Sequence, residues 1–518
     1  MQKLQVTAAF GVTALLLTAC SGIGGEEEQK FVEMKAPQEN LQSFYDQRVA
    51  WDDCDANSGV VTFTDGRAAE SKFKCARVQV PLDYENPSGA SIELQLLKYS
   101  KSRNAKPLIY NPGGPGGSAV ASLPDMADYV FTDAVLNEYD LIAVDPRGVG
   151  LSAPVRCLSD EEIDEARAEP LPQTLDEIRE SSRELGEKCL KMSPEMAQHS
   201  DSDSAMRDFD IVRAVLGEEK LNYVGFSYGT FLGALYADEF PNNVGRFVLD
   251  GAIDPTLTVD EISEGQATGF ENVLAFWLAD GSKKGQIPLK GTSNEMKAEL
   301  REWLDGLDEN PLPTADPERP LTRSLATSAI LSMMYSDDTW QVAWAALSQA
   351  MQAGDGSMLL MVADLYADRN DDGTYKTNTF DAFNVINALD YRAEEESHWR
   401  MVSDRLQRTA PMLGEEFSYG SVVMEGWPIE SRDTRHEVKA AGAPPILVVG
   451  TTFDPATPYY WAESLADQLE SGHLLKVEGV KHTAYSRTAG ECVIGAVDGF
   501  LIDGEVPAEG TTCRLGEN

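Results

Sequence analysis

Short apolar runs and amphipathic stretches alternate along the chain from about residue 91. The runs predict β-strands because they are short, rich in β-branched and aromatic residues, and bounded by polar or turn-forming residues. They are Ser91–Tyr99, Pro107–Asn111, Asp140–Asp145, Leu221–Gly225, Arg246–Asp250, Pro445–Gly450 and Leu474–Glu478. Helical periodicity lies between them, as in Ser202–Leu216 and Tyr459–Leu469. This alternation predicts an α/β fold with a mostly parallel sheet and helices on both faces, where ligands bind beyond the carboxyl ends of the strands.

One long interruption breaks the alternation. Between Asp254 and about Gly442 the strand patterns vanish and helical patterns replace them, including the aromatic-rich stretch Ser328–Met351. Met and Trp residues at helical spacing more often form a core than a ligand site. We therefore predict that residues 255–440 are a helical insertion that caps the active edge of the sheet. The sheet domain would then consist of two parts, residues 45–254 and 441–518.

The N-terminal 20 residues resemble a bacterial lipoprotein signal. Lys3 precedes an apolar run from Val6 to Leu17 that is too short to span a bilayer as a stable helix, and small residues precede Cys20. We interpret residues 1–19 as a signal peptide and Cys20 as the lipidated N-terminus of a flexible tether, residues 20–44. An ordinary secretory signal is the alternative. The protein would be held at the extracytoplasmic face of the membrane by acyl chains, or be shed or secreted.

Without Cys20, six cysteines remain, an even number that is typical of a disulfide framework in an exported protein. They are Cys54, Cys75, Cys157, Cys189, Cys492 and Cys513. Six cysteines allow 15 pairings, and the sequence does not choose among them. Pairing of neighbours would close loops of about 20 to 30 residues, each stabilising the fold by roughly 3–4 kcal/mol. No spacing matches C-x-x-C or a metal-ligand set, so we expect neither redox catalysis nor zinc.

Composition narrows the class of partner. The chain has 518 residues, with 43 Lys and Arg against 85 Asp and Glu and a formal net charge of −42. Such a balance argues against nucleic acid and against a polybasic grip on anionic lipid. With 42% hydrophobic and 25% charged residues, the composition is typical of a soluble globular protein. We expect a monomer without a cofactor.

A candidate nucleophile lies at the end of a predicted strand. Gly225–Gly229 reads G-x-S-x-G around Ser227, and the helix-like stretch Phe231–Phe240 follows. A sharp strand-to-helix turn needs glycines beside the serine, and it lifts the hydroxyl above the sheet in front of a helix N-terminus. The pentapeptide alone is common by chance, but its place between a strand and a helix favours a nucleophilic serine.

A serine nucleophile needs a base and a carboxylate that orients the base. His482 follows a predicted strand near the C-terminus, and Asp454 follows the preceding one. This is the chain order Ser, Asp, His that belongs to sheets of this type. Thr457 could support Asp454 through its hydroxyl. Four other histidines remain. His199 lies in a polar loop before Ser227, His398 and His436 lie within or at the edge of the insertion, and His473 lies at the start of a predicted strand.

Three glycine-rich or acidic loops follow other predicted elements. Asn111–Ser118 contains four glycines, and with the N–H of Tyr228 the N–H of Gly114 would complete an oxyanion hole. Asp145–Ser152 would buttress the serine turn. Asp368–Gly373 matches half of a calcium loop, but Thr379 occupies the position of the bidentate Glu, which favours a solvated turn without metal.

Taken together, these motifs resemble the α/β-hydrolase peptidases of the proline iminopeptidase and tripeptidyl aminopeptidase type, especially their exported actinobacterial branch. The resemblance rests on the loops just described and on a C-terminal segment from about Gly414 through Cys492 and Cys513. It implies an α/β-hydrolase fold and cleavage of short peptides from a free N-terminus. Relatives often carry further cysteines in the insertion and before a Trp-Pro pair, whereas Trp427-Pro428 here has none.

The sequence therefore predicts a serine aminopeptidase that acts on peptides and releases one to three residues. An aminopeptidase must bind an ammonium group, and Asp390 and Glu425 are candidate ligands from the insertion. A carboxylesterase or lipase with the same triad is the main alternative, because a fold does not determine the substrate. A non-catalytic lipoprotein that binds peptides or nutrients is the third.

Overall fold

The computed structural model describes residues 40–54, 59–172 and 174–517. The predicted signal peptide, Cys20 and nearly all of the tether lie outside the described residues. The strands of the described chain are β1 Phe73–Pro81, β2 Ser91–Tyr99, β3 Lys106–Asn111, β4 Tyr139–Val144, β5 Leu221–Phe226, β6 Val244–Asp250, β7 Ile446–Thr451, β8 Gly472–Glu478 and β9 Thr512–Arg514.

The helices of the described chain follow the predicted alternation before β6 and after β7, and they fill the interval between. The α-helices are α1 Leu41–Tyr45, α2 Val60–Phe63, α3 Ala119–Val130, α4 Asp133–Glu138, α5 Asp160–Ala168, α6 Leu175–Met192, α7 Met196–His199, α8 Ser202–Val215, α9 Tyr228–Glu239, α10 Val259–Lys284, α11 Ser293–Glu309, α12 Arg323–Ser332, α13 Trp340–Ser348, α14 Ser357–Tyr366, α15 Thr379–Asp390, α16 Glu396–Thr409, α17 Gly420–Gly426, α18 Tyr459–Gln468 and α19 Glu491–Asp503.

The strands form one sheet in the order β1-β2-β4-β3-β5-β6-β7-β8-β9. Only β2 runs against its neighbours, β1 and β4; every pair from β4 to β9 is parallel. The predicted mostly parallel sheet is confirmed. β7 is buried along its whole length because helices cover both faces of the sheet, and its Leu447, Val448 and Val449 have no exposed surface.

Between β6 and β7 the described chain contains helices and loops but no strand of the sheet. These helices have a core of their own, in which Trp277 and Trp344 are at most 2% exposed and the Trp344 indole N–H donates to the Trp277 carbonyl at 3.1 Å. The stretch Ser328–Met351 is not one continuous helix. It is interrupted between α12 and α13, where a loop containing Tyr335 leads to a short 3₁₀ turn, Asp337–Thr339.

A second group of helices, α5 to α7, lies between β4 and α8 and packs against the insertion. The Ser182 hydroxyl of α6 donates to the Val423 carbonyl of α17 at 2.6 Å. A Cβ at Gly186 would lie 2.2 Å from Pro428 Cδ, so the two segments are in direct contact. This earlier helical segment was not identified as part of the cap from the sequence.

Candidate active site

Ser227 occupies the turn between β5 and α9. Its backbone has φ 54° and ψ −125°, a conformation that is strained for a residue with a side chain and that recurs at nucleophiles on such turns. A Cβ at Gly225 would lie 2.4 Å from the Gly229 carbonyl oxygen, so the turn closes only with glycine there. The Ser227 hydroxyl therefore stands at the carboxyl edge of the sheet, in front of the N-terminus of α9.

Asp454 and His482 lie on the loops that follow β7 and β8. His482 Nδ1 is 2.9 Å from each carboxylate oxygen of Asp454. Asp454 also accepts N–H groups from Ala456 at 2.9 Å, Thr457 at 2.8 Å and Thr483 at 3.1 Å. The Thr457 hydroxyl donates to Asp454 Oδ2 at 3.0 Å and lies 3.3 Å from His482 Nδ1. These donors fix the direction of the carboxylate.

The surroundings of His482 raise its pKa. Burial lowers the pKa of His482, but the charge of Asp454, its hydrogen bond and the charge of Asp250 outweigh burial and raise that pKa above the ordinary value of 6.5. An imidazole with a raised pKa can accept a proton readily, and a buried carboxylate at its Nδ1 can stabilise an imidazolium.

The serine and the histidine come from loops at one edge of the sheet. β5, β6, β7 and β8 are successive parallel strands, so the loops after them converge. Gly251, which follows β6, packs on the histidine, since a Cβ there would lie 3.3 Å from His482 Cε1. In the described residues Ser227 Oγ makes no hydrogen bond to His482, and such catalytic contacts are often long without substrate.

Two backbone N–H groups are free beside Ser227. Gly113 packs against the serine turn, because a Cβ there would lie 2.9 Å from Ser227 Cβ and 3.2 Å from Tyr228 N. The Gly113 N–H donates a hydrogen bond to Oδ1 of Asn111 at 2.9 Å. Among the described residues, the N–H groups of Gly114 and Tyr228 have no acceptor. This arrangement can receive an oxyanion.

The loop that follows β4 holds this glycine loop in place. Asp145 is fully buried and accepts from the Ser118 hydroxyl at 2.7 Å, from Val120 N at 2.9 Å and from Leu151 N at 2.9 Å. Burial raises the pKa of Asp145 to about 6 in spite of these donors. Asp145 thus joins its own loop to the loop that contains Gly114.

Comparison with known proteins agrees with this geometry. Residues 410–513 match the family model described as TAP-like protein. The serine protease Hip1 of Mycobacterium tuberculosis is 32% identical to the chain, over 99% of the chain and 98% of Hip1. The chain belongs to the TAP-like family of α/β-hydrolase peptidases. Carboxylesterase B of M. tuberculosis is 34% identical over 85% of this chain and 86% of its own. The tripeptidyl aminopeptidase of Streptomyces lividans is 28% identical over 90% and 86%.

The two acids expected to bind a substrate ammonium are engaged elsewhere in this TAP-like chain. Asp390 is fully buried; it accepts from Ser202 N at 2.9 Å and from the Ser202 hydroxyl, which also contacts the Tyr228 hydroxyl. Glu425 accepts from Arg179 Nε at 2.7 Å. The sequence indicated that these carboxylates are in the insertion but not which groups they contact, and their amine-binding role stays a prediction.

The six cysteines outside the signal form three disulfides between sequence neighbours. They are Cys54–Cys75, Cys157–Cys189 and Cys492–Cys513. The sequence had left this pairing open. Disulfides form and persist in oxidising compartments, and with the peptidase relatives they indicate an extracytoplasmic location. No helix in the described ranges is long and apolar enough to cross a membrane, and no group of side chains in those ranges could hold a metal ion.

A large cavity lies among the helices, and two of its lining residues contact loops of the site. Its volume is about 1440 Å³, and it lies among α5, α6, the start of α10, and α15 to α17. Phe383 lines the cavity, and its backbone packs on the oxyanion loop, where a Cβ at Gly116 would lie 3.0 Å from Phe383 N. Gln266 also lines it and donates to the Ala456 carbonyl in the Asp454 loop at 3.1 Å. The insertion and the earlier helices together line this space, which is open to solvent.

Two residues that contact the histidine loop were not predicted from the sequence as site residues. Asp250 ends β6, and its carboxylate accepts from Ala484 N at 3.0 Å and Tyr485 N at 2.7 Å, just beyond His482. Tyr335 of the insertion contacts His482, and its backbone carbonyl accepts a hydrogen bond from the backbone N–H of His482 at 2.7 Å. Asp250 could have been identified from the sequence, because its carboxylate lies at the end of a predicted strand. No sequence pattern indicated that Tyr335 contacts the site.

Proposed function

We propose that this protein is an extracytoplasmic serine aminopeptidase that releases one to three residues from free peptide N-termini through an acyl-enzyme. The observation that carries the proposal is the pairing of His482 with the buried Asp454 at the sheet edge that also presents Ser227 on its strained turn. Three of the strand-end loops of an α/β-hydrolase peptidase thus each contribute the residue type that acyl transfer needs.

The mechanism follows from the positions of these groups. Ser227 Oγ attacks the scissile carbonyl carbon and His482 Nε2 takes its proton, while the oxyanion accepts the N–H groups of Gly114 and Tyr228. His482 then protonates the leaving amine. Water, deprotonated by His482, then attacks the carbonyl carbon of the acyl-enzyme. The acyl product leaves and Ser227 is regenerated. Asp454 keeps the imidazole in the tautomer with Nε2 free and stabilises the imidazolium.

The cavity supports a preference for a free ammonium. Its wall carries six glutamates against two arginines and one lysine. A cleft with excess negative charge favours a positively charged peptide end over a carboxylate. The cavity is also large enough for several residues. We therefore assign the peptide segment on the amino side of the scissile bond to this space.

The experiment is a substrate panel with the mature protein. Free-amine peptide anilides of one to three residues should be cleaved faster than their N-blocked counterparts. Ser227→Ala should abolish cleavage and labelling by a fluorophosphonate probe. Ser471→Ala, at the opposite edge of the sheet, should leave both unchanged. Faster cleavage of blocked peptides would overturn the aminopeptidase assignment, and unlabelled wild-type protein would overturn the serine hydrolase mechanism.

A carboxylesterase is the second candidate, because the relative named Carboxylesterase B is 34% identical over 85% of the chain. The same panel tests it with short acyl esters. An esterase should hydrolyse these at a higher kcat/KM than any free-amine peptide.

We also propose that acyl chains on Cys20 anchor the mature protein. The apolar run and the small residues before Cys20 support this assignment. Cells fed a labelled fatty acid should transfer the label to the wild-type protein but not to Cys20→Ala. Cys54→Ala, which removes a cysteine of the folded part, should keep it. Absence of label from the wild-type protein would favour the secretory alternative.

A further inference from the structure

The loop between α12 and α13 connects the insertion to the catalytic histidine. The backbone N–H of His482 donates to the carbonyl of Tyr335 at 2.7 Å. The next residue, Ser336, forms an isolated antiparallel bridge with Lys481. The segment from the insertion therefore runs alongside the histidine loop and is hydrogen-bonded to it.

The side chain of Tyr335 adds a second contact. Its ring packs edge to face against the imidazole of His482, with centroids 5.3 Å apart and planes at 71°. Phe270 of α10 packs on the same tyrosine at 5.3 Å and 67°, and Phe417 stacks on Phe270 at 5.9 Å. Phe270 is 3% exposed. The tyrosine ring is thus fixed from behind by the insertion while it contacts the histidine in front.

The hydroxyl of Tyr335 makes a separate contact. It accepts a hydrogen bond from the Tyr366 hydroxyl at 3.3 Å, on α14. It therefore contacts the insertion, whereas the ring contacts His482. A phenylalanine at position 335 would keep the ring contact and lose only the hydroxyl contact.

The imidazole needs such a contact. Asp454 holds Nδ1, but a hydrogen bond at one nitrogen leaves the ring free to tilt about that bond. Proton transfer demands that Nε2 point at the serine oxygen, and small errors of direction are costly in rate. An aromatic edge against the imidazole limits the tilt without competing for a proton.

We propose that Tyr335 is a positioning residue that holds the imidazole of His482 in the orientation presenting Nε2 to Ser227. The helical insertion then contributes to the catalytic geometry as well as enclosing the cavity. This inference rests on the proposed role of His482 as the general base.

The test compares two substitutions at one position. Tyr335→Leu removes the ring and retains apolar bulk, and should lower kcat and the rate of fluorophosphonate labelling by about tenfold or more, with KM changed less than threefold. Tyr335→Phe should retain both within about twofold of the wild type, because packing depends on the ring. Asp338→Asn alters an exposed carboxylate in the segment of Tyr335 that pairs with Lys481, and this variant should behave as the wild type.

A structural readout accompanies the kinetics. In proton NMR spectra, the low-field Nδ1 proton of His482 should be broadened in Tyr335→Leu and retained in Tyr335→Phe. Wild-type rates in a folded Tyr335→Leu variant, or equal losses in both substitutions, would overturn the inference. If Tyr335→Leu does not fold, Phe270→Leu provides the same test from behind the ring, and wild-type labelling by that variant would overturn it. Wild-type protein that the probe does not label would instead refute the proposed function.

Discussion

The backbone N–H of Ser227 donates to the carbonyl oxygen of Asp250 at 2.9 Å. Through its carboxylate, the same aspartate holds Ala484 and Tyr485 in the histidine loop. One residue at the end of β6 thus connects the turn that carries Ser227 to the loop that carries His482. Burial, together with the charge of Asp454, raises the pKa of Asp250 to about 6 in spite of the two backbone donors and the charge of His482. Asp250 is therefore ionised at neutral pH.

Asp250→Asn should shift the acid limb of the pH profile of kcat/KM. His482 must be neutral to act as a base, and its raised pKa places the wild-type limb above pH 6.5. The negative charge of Asp250 contributes to that raised value. Since asparagine removes the charge but retains an acceptor for the two N–H groups, the limb should move to lower pH by roughly 0.5 unit.

Glu425→Gln is the matched control, because it removes a carboxylate that pairs with Arg179 away from the site. Its acid limb should coincide with that of the wild type. An unchanged or upward-shifted limb in Asp250→Asn would refute the electrostatic role of Asp250.

The Thr457 hydroxyl should contribute measurably to turnover. It donates to Asp454 at 3.0 Å and lies beside His482 Nδ1, so Thr457→Val should loosen the Asp454–His482 pair and lower kcat by about tenfold. Thr457→Ser retains a hydroxyl and should restore most of the loss. Equal activity of the Val and Ser variants would show that the hydroxyl is dispensable.

Asp454→Asn should lower kcat by about 10⁴-fold, the scale seen when the acid of a serine triad is replaced.

A buried ion pair beneath the sheet should be critical for stability. Arg147 and Asp208 are at most 1% exposed, and the guanidinium also donates to the carbonyls of Pro81 and Leu82 at 2.9 and 2.8 Å. Asp208→Ala would leave the charge of Arg147 buried without its partner, which costs about 3–5 kcal/mol. Urea unfolding followed by tryptophan fluorescence measures the change.

Arg183 offers the matched comparison, because its pairs with Glu180 and Glu187 lie on the exposed face of α6. Arg183→Ala should change the free energy of unfolding by less than about 1 kcal/mol. Similar effects of the two substitutions would contradict the burial argument.

The Cys157–Cys189 disulfide should stabilise the helices that complete the cap. It closes a loop with a sequence separation of 32, for which the chain-entropy account gives about 3–4 kcal/mol. Replacing both cysteines by serine should lower the urea midpoint accordingly. Adding reductant to that variant should have a smaller further effect than adding it to the wild type. A double variant as stable as the oxidised wild type would contradict the prediction.

The strand ends that carry the site could be predicted from the sequence because the strands before them are mostly apolar and buried. β1 was missed, since Lys74, Arg77 and Gln79 interrupt its pattern at the edge of the sheet. β9 was missed because it has only three residues. Both segments become strands through pairing with a neighbouring strand, β1 with β2 and β9 with β8, and their local sequence alone does not indicate this.

The hydrophobic pattern of the sequence did not predict in which direction the side chains of the insertion point. The stretch Ser328–Met351 is amphipathic enough to suggest continuous helix, so the break that brings Tyr335 to His482 was not visible. Asp390 was placed in the correct segment, yet packing turns it towards Ser202 and away from the cavity. Helical periodicity identifies a buried face but not the element that it meets.

β6 and β7 pair directly, although the entire insertion separates them along the chain. Ser227 and the oxyanion loop precede that gap, whereas Asp454 and His482 follow it. Contacts between segments so far apart form late, because the loop between them must first be closed. A chain emerging from an export channel with its N-terminus first therefore has its nucleophile long before its base. Ser227, Asp454 and His482 are therefore present together only after β8 and the loop that follows it have been delivered, and a product that ends before this loop lacks His482.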